Sequence, residues 1–279
     1  MSGRLERYIL TGVLITSPLN YLDLNRNAWN QKTDFHVDSK FYDNVSFING
    51  KSSLNEIELE LLGDVAGKTI LHLQCHFGQD TLSLQRLGGN VTGVDFSDNA
   101  IKQAKELSKQ LQLNAEFICC DLYELPKHLN KKFDIVFTSY GTVGWLPDLQ
   151  RWGQIVSRFL KPGGNFVMVD FHPVVWMFDN DFTRVQYSYF NKEEIVETEK
   201  GTYAQRDAPI ETTTVSWNHS ISEILSGLLQ NGLVVKHFGE HDYAPYNCLN
   251  NMVETAPGKF QIATMEGKLP LLYSIVATV

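Results

Sequence analysis

The stretch Ile70-Leu71-His72-Leu73-Gln74-Cys75-His76-Phe77-Gly78 has the pattern of an apolar strand that enters a turn and then a helix. A second apolar strand follows at residues 90–95 and ends in Asp95, 17 residues after Gly78. This arrangement suits an adenosine-containing cofactor, because a glycine lets the backbone approach a ligand and a helix N-terminus favours an anionic group. Asp95 could then accept hydrogen bonds from both ribose hydroxyls. The alternative is that Asp95 is only a solvated acid at a strand end.

Apolar strand-like runs alternate with amphipathic helical runs from about residue 68 to residue 171, which predicts a parallel sheet. One helix is predicted to begin after the capping residue Ser97. Another is predicted to end at Lys161-Pro162-Gly163-Gly164, where proline cannot continue it. A third apolar stripe lies at residues 221–229. The predicted strands are residues 69–74, 90–95, 115–119, 133–139, 165–171, 233–238 and 271–278.

This order predicts an α/β fold, namely a Rossmann-like, doubly wound, seven-stranded and mostly parallel sheet. Residues 67–279 would form the cofactor-binding core. Residues 1–66 would form an N-terminal arm and helical cap, whose first part is expected to be a loose arm or an edge element. The aromatic-rich residues 173–217 are predicted to form an inserted β-hairpin that covers the carboxyl edge of the sheet, where open α/β sheets bind ligands.

The composition narrows the classes of partner. The chain has 24 basic and 32 acidic residues, a net charge of −8, so it would repel phosphate backbones and nucleic acid is not an expected partner. No run reaches the ~20 apolar residues of a membrane-spanning helix, and no membrane partner is expected. The cysteines show no CxxC spacing, which argues against a zinc site or a disulfide framework and favours a cytoplasmic protein without a metal.

Further motifs follow in order along the chain. They are Gly93-Val94-Asp95-Phe96-Ser97, Cys120-Asp121-Leu122, Phe133-Asp134-Ile135-Val136 leading to Ser139-Tyr140-Gly141, and Leu160-Lys161-Pro162-Gly163-Gly164. Together with the turn before Gly78, they resemble the class I S-adenosylmethionine-dependent methyltransferases, particularly the small-molecule type related to ubiquinone-biosynthesis methyltransferases. The resemblance covers residues 54–171 well and residues 218–279 more loosely.

The resemblance implies S-adenosylmethionine as the cofactor and methyl transfer to an O or N atom of a small molecule. It implies these cofactor-binding residues: Gln74, His76, Gly78, Asp95, Phe96, Asp121, Leu122, Ser139 and Tyr140. The family has glycines where this chain has Gln74 and His76, and an acid where it has His72. Either Gln74 or His76 could therefore hold the carboxylate of the methionine part, whereas His72 is expected to be a satisfied core histidine.

Methyl transfer is an in-line displacement, which needs positioning, exclusion of water and, where the acceptor carries a proton, a base. The predicted catalytic residues are His172 and Tyr140, which follow the fifth and fourth strands of the core. Substrate contacts are predicted at His36, Tyr42, Trp145, Trp176, His219 and His241. Each of the aromatic residues could instead serve only to pack the inserted segments.

Two alternatives stay open. The lost glycines are compatible with a nucleotide-binding protein without methyl transfer, either an NAD-type oxidoreductase or a silent cofactor sensor. Residues 173–217 could also be a subunit interface, which would make the protein a homodimer. Residues 237–241 match the HxxEH metalloprotease pattern, but the neighbouring valines predict a strand, where this chemistry needs a helix.

Overall fold

The computed structural model describes residues 20–279 and the backbone of residues 9–10 and 13–14. Most of the predicted N-terminal arm, residues 1–19, lies outside the described residues. The strands are β1 (Ile9–Leu10), β2 (Val13–Leu14), β3 (Thr69–Leu73), β4 (Asn90–Asp95), β5 (Glu116–Cys119), β6 (Phe133–Ser139), β7 (Leu160–Phe171), β8 (Ile195–Lys200), β9 (Glu211–Ser216), β10 (Val234–His241), β11 (Met252–Ala256), β12 (Lys259–Ile262) and β13 (Leu272–Thr278). The helices are α1 (Tyr21–His36), α2 (Asn44–Ile48), α3 (Glu56–Leu62), α4 (Gln79–Arg86), α5 (Asp98–Gln110), α6 (Leu125–His128), α7 (Leu149–Phe159) and α8 (Ile221–Leu229).

Seven strands form one sheet in the order β10-β13-β7-β6-β3-β4-β5. The pairs from β7 through β5 are parallel, and β13 runs antiparallel to both of its neighbours. This arrangement confirms the predicted α/β fold with a mostly parallel sheet. The strand order reverses between β3 and β6, so the carboxyl ends of these two strands form the crevice in which such sheets bind ligands.

The two faces of the sheet bury different halves of the alternating strand residues. Leu71 and Leu73 belong to the core beneath α7 and α8, whereas Ile70 packs with residues of α3 and α4 on the other face. The predicted helices after Ser97 and before residue 160 are present as α5 and α7. The side chain of Ser97 accepts a hydrogen bond from the amide of Ala100 at 3.1 Å, as an N-cap should.

Three additions surround the carboxyl edge of the sheet. Helix α1 is held against β9 by two hydrogen bonds, each 2.8 Å, between the Asn25 side chain and the backbone of Val215. Strands β8 and β9 form an antiparallel hairpin within residues 173–217. A second hairpin, β11–β12, was not anticipated from the sequence. Across the part of the chain that the structure describes, no helix is both long and apolar enough to cross a membrane.

Helices α7 and α8 cross at two glycines. A Cβ atom added to Gly153 would lie 1.9 Å from the carbonyl oxygen of Gly227. No side-chain rotation relieves a clash with backbone, so the two helices would have to separate.

We expect Gly153→Ala to lower the free energy of unfolding by about 3 kcal/mol, because overpacking outweighs the better helix propensity of alanine. Gln154→Ala is the matched control, since Gln154 is exposed on the same helix. Urea denaturation of both variants measures the difference. Equal stability of the two variants would contradict the close crossing.

Candidate active site

The turn between β3 and α4 adopts left-handed backbone at three alternate positions. The φ angles are 54° at Gln74, 50° at His76 and 85° at Gly78. Left-handed backbone costs a residue with a side chain roughly 1–2 kcal/mol, which is why glycine is the default residue there. The chain thus keeps this turn conformation, although Gln74 and His76 stand where the family that its sequence resembles has two of three glycines.

This turn directs a backbone amide at the acid that ends the next strand. The amide of His76 donates to Oδ2 of Asp95 at 2.9 Å, and the amide of Ser97 donates to Oδ1 at 2.9 Å. Each carboxylate oxygen can accept a further hydrogen bond. Burial raises the pKa of Asp95 to about 6. The Asp95 carboxylate is therefore fixed in position and is able to accept two ribose hydroxyls.

A small cavity adjoins Asp95. It has a volume of about 30 Å³ and is lined, among others, by Tyr21 of α1, Phe96, Asp121, Leu122 and Trp145. A water molecule needs about 10–15 Å³ by this measure, so the cavity has room for only about two or three waters. Adenine could enter only if side chains of α1 or Trp145 moved aside. Burial raises the pKa of Asp121, whose Oδ1 accepts from the amide of Tyr123 at 3.3 Å.

A second cavity, about 1110 Å³ in volume, shares Gln74, Asp95, Phe96 and Trp145 with the first. We call it the large cavity. Drug-sized ligands occupy pockets of roughly 300–1,000 Å³, so it has room for the methionine part of a cofactor and a second molecule. Its walls are strongly aromatic, with Trp29, Phe41, Tyr42, Tyr140, Phe171, Trp176, Tyr203 and Tyr246. Many of these rings meet edge to face, as Tyr140 and Tyr246 do with centroids 5.3 Å apart.

Two side chains at the end of β3 each leave one buried polar atom without a partner within the described protein. Gln74 donates its Nε2 to the carbonyl of Thr142 at 2.9 Å, which leaves its buried Oε1 without a hydrogen bond. His72 contacts Thr81 through Nδ1 at 2.8 Å, and its buried Nε2 is unpaired. Nε2 is an acceptor in the tautomer that carries the proton on Nδ1 and donates it to Thr81. Burial lowers the pKa of His72 to about 4, so the ring is neutral near pH 7. His72 is therefore buried as predicted but only half satisfied.

Such unpaired acceptors fit a ligand that brings donors. An unsatisfied buried polar atom costs about 1–3 kcal/mol, which a bound donor would recover. The methionine part of S-adenosylmethionine carries an ammonium group, and both Gln74 and His72 line the large cavity. The residues present therefore fit this cofactor.

His36 of α1 meets the turn directly. Its Nδ1 lies 2.9 Å from Nε2 of His76, so one ring donates to the other. Burial lowers the pKa of His36 to about 2 and that of His76 to about 3. Both rings are neutral near pH 7. Neither His76 nor Gln74 therefore presents a cation to a carboxylate.

The structure brings together most of the predicted substrate residues. Tyr42, Trp145, Trp176 and His219 line the large cavity. His36 lies behind the wall and is fully buried. His219 is also held by protein groups, because its Nε2 lies 2.8 Å from the carbonyl oxygen of Leu146.

His172 and His241 require correction, because neither lines the large cavity. His172 turns towards β10, where its Nε2 lies 3.0 Å from Glu240, and its Nδ1 accepts from the amide of Val174 at 3.2 Å. His241 contacts Ser274 at 3.2 Å. It lies on the edge strand β10, two strands away from β7. Residues 237–241 belong to that strand, as their valine neighbours predicted.

Two buried acids that sequence reasoning missed hold residues that line the large cavity. The carboxylate of Asp170, at the end of β7, accepts from the amides of Gly141 and Thr142, at 3.0 Å for Thr142, and so holds the loop after β6. Glu58 of α3 is fully buried and accepts from the Tyr140 hydroxyl at 2.7 Å. The one available signal was Asp170 itself, an acid inside an otherwise apolar predicted strand.

Residues 70–164 match the family model described as a methyltransferase domain. Over 133 residues the chain is 35% identical to an uncharacterised methyltransferase of Synechocystis sp.. This match covers 47% of this chain and 60% of the relative. Over 98 residues it is 37% identical to a ubiquinone biosynthesis O-methyltransferase of Coxiella burnetii, covering 35% of this chain and 41% of the relative. The chain thus spans less than two thirds of these relatives.

A crystal structure of an S-adenosylmethionine-dependent methyltransferase from Mesorhizobium loti superposes with a TM-score of 0.56. The match covers 83% of this chain and all of that one, at 18% identity. At this identity the likeness shows the fold. The methyltransferase domain matched at residues 70–164 and the shared sheet order confirm the resemblance to S-adenosylmethionine-dependent methyltransferases found in the sequence.

The titration of Asp95 gives a testable pH dependence. A bound ribose would donate its hydroxyls to the ionised carboxylate of Asp95, so protonation below the pKa of about 6 would remove an acceptor. We expect S-adenosylhomocysteine to bind roughly 10-fold more weakly at pH 5 than at pH 7, because about one unit below the pKa only a tenth of the carboxylate is ionised. Calorimetric titration across this range measures the effect. Asp95→Asn should bind more weakly at pH 7 and lose most of the pH dependence, and an unchanged pH profile would contradict the assignment.

Proposed function

We propose that the protein transfers the methyl group of S-adenosylmethionine to an O or N atom of a small molecule bound in the large cavity. One observation carries the proposal: the fixed carboxylate of Asp95 adjoins both the small cavity and the large cavity with its aromatic walls. The size and aromatic walls of the large cavity favour a small, partly apolar acceptor. The net charge of −8 disfavours a nucleic acid.

The residues that would hold the cofactor divide between the two cavities. Asp95 would accept the ribose hydroxyls, and Asp121 would accept the adenine amino group beside Phe96 and Leu122. Oε1 of Gln74 and Nε2 of His72 would accept hydrogen bonds from the ammonium group of the methionine part. When bound, S-adenosylmethionine supplies a methyl group made electrophilic by the sulfonium. Aromatic walls around it would exclude water and favour the cation.

Residues 173–217 and α1 would together form the cover of the acceptor site. The hairpin contributes Glu197, Glu199 and its connecting residue Tyr203 to the wall of the large cavity. Tyr203 hydrogen-bonds the hydroxyl of Tyr42, which joins the hairpin to the N-terminal segment. This contact favours the interpretation that the hairpin covers the site and selects the acceptor. It disfavours the alternative that the hairpin serves only to form a dimer. A cytoplasmic location is consistent with four free cysteines.

Tyr140 and Glu58 are proposed to remove the acceptor's proton. The Tyr140 hydroxyl donates to Glu58, while Glu58 also accepts from the amide of Asn55 at 2.7 Å. Burial raises the pKa of Glu58, and burial followed by the Glu58 charge raises that of Tyr140 well above its usual range. Tyr140 would therefore pass a proton on and not hold a negative charge. As the methyl moves to the acceptor, the acceptor proton passes to the Tyr140 oxygen and the Tyr140 proton passes to Glu58.

For an acceptor that must lose a proton, we expect Tyr140→Phe to lower kcat by about 10² to 10⁴, the usual contribution of a positioned base. Affinity for S-adenosylhomocysteine should change little, because the phenyl ring keeps the wall intact. Glu58→Gln should lower kcat and displace the pH profile. If Tyr140→Phe had the kcat of the wild type, Tyr140 would not take part in proton removal. The assignment of the cofactor-binding residues would not be affected.

A binding comparison tests the proposed function against its runner-up. Calorimetry of the purified protein with S-adenosylmethionine, S-adenosylhomocysteine and NAD should show binding of the first two in preference to NAD. Asp95→Ala should weaken that binding by roughly 1.5–3 kcal/mol, the scale of hydrogen bonds to a charged group. Exclusive binding of NAD would replace methyl transfer with the oxidoreductase alternative.

A further inference from the structure

Lys32 differs from the other basic residues of the large cavity. Among the described residues, four lysines or arginines line this cavity: Lys32, Lys51, Lys200 and Arg206. Lys51, Lys200 and Arg206 are exposed, whereas Lys32 is only 6% exposed. Long charged side chains are almost never this deeply buried unless they are paired.

The ammonium of Lys32 lacks such a pair. Within residues 20–279, no acidic oxygen lies within 4.0 Å of its Nζ and no hydrogen bond to it is formed. Each exposed basic residue does have a partner. Lys51 lies 3.5 Å from Asp43, Lys200 lies 3.9 Å from Glu211, and Arg206 donates to the carbonyl of Leu249 at 2.9 Å. The buried cation is therefore the unpaired one.

The surroundings of Lys32 hold its charge only loosely. Its Nζ lies 5.5 Å from the centroid of the Trp29 ring, which is within the range of a cation–π contact but supplies no counter-charge. Burial lowers the pKa of Lys32, and the more distant Glu199 and Glu197 oppose this shift. Both acids have donors of their own, since Glu197 accepts from Tyr187 at 2.6 Å and Glu199 from Asn180 at 3.1 Å.

Lys32 also lies close to the turn that follows β3. Trp29, one helical turn earlier on α1, meets the ring of His76 with centroids 5.4 Å apart. His36, one turn later, hydrogen-bonds His76. Lys32 is thus bracketed on α1 by two residues that contact the turn, and it lines the same cavity as Gln74 and His76. As shown above, neither of those two residues supplies a cation.

We propose that Lys32 binds a carboxylate inside the large cavity. The inference rests on the proposed function, because that function brings such groups to this place. The first source is the carboxylate of the cofactor's methionine part, whose ammonium would be held by Gln74 and His72. The second source is an anionic group of the acceptor. Either carboxylate would supply the negative partner that the buried ammonium of Lys32 lacks among the described residues.

The test compares two nucleosides that differ in the amino acid part. S-adenosylhomocysteine has the carboxylate, and 5′-methylthioadenosine keeps the adenosine and sulfur without it. We expect Lys32→Met to weaken S-adenosylhomocysteine on the order of 10- to 100-fold and to leave 5′-methylthioadenosine within about 2-fold, as measured by calorimetry. Methionine keeps the length and apolar stem of lysine. Lys51→Met is the matched control, because Lys51 lines the same cavity but is exposed and paired.

A second arm identifies the acceptor as the source. Phenylacetate is titrated into the wild-type protein and Lys32→Met, each saturated with S-adenosylhomocysteine. Loss of phenylacetate binding in the variant, with unchanged nucleoside affinities, would assign Lys32 to the acceptor. Lys32→Gln and thermal unfolding check that either result reflects binding and not misfolding.

The outcomes separate the two proposals. If wild-type protein binds both nucleosides and Lys32→Met alters neither the nucleosides nor phenylacetate, the Lys32 inference is wrong and the proposed function stands. If wild-type protein binds neither nucleoside, both fail.

Discussion

The hydrogen bond from the amide of His76 to Asp95 is the constraint on which the site depends. It requires β3 and β4 in parallel register and a left-handed backbone between them. Close packing holds that backbone in place. A Cβ atom on Gly78 would lie 2.8 Å from the Phe117 ring, and one on Gly93 would lie 2.9 Å from the sulfur of Cys75. The glycines that remain are thus those where a side chain would separate the turn from β5.

Several features around this hydrogen bond lower the stability of the unliganded protein. Gln74 and His76 hold left-handed backbone, and the buried Oε1 of Gln74 has no partner among the described residues. Burial raises the pKa of Asp95 from 3.8 to about 6, so the native state binds its proton more tightly than the unfolded chain. The stability of the unliganded protein therefore falls as pH rises through this interval. Such costs collect at functional sites, where a bound ligand offsets them.

The sheet could be predicted from the sequence because burial on both faces writes near-continuous apolar runs into parallel strands. The same reasoning located Asp95 at a strand end and Ser97 at a helix start. It could not locate the contacts made across long sequence separations, such as His36 with His76 or Glu58 with Tyr140. His172 was predicted from its position after β7, but its contact with Glu240 on β10 turns it away from the cavity. The β11–β12 hairpin was missed although Pro257-Gly258 marks its turn.

The central claim is that the site consists of the small cavity beside Asp121, which would hold adenine, and the large cavity beside Tyr140. A crystal structure of the protein with S-adenosylhomocysteine tests it most directly. Both ribose hydroxyls should lie within about 3.2 Å of the Asp95 carboxylate, with adenine in an enlarged small cavity and the sulfur facing the large cavity. A nucleoside bound away from Asp95, or a sulfur facing bulk solvent, would contradict the claim.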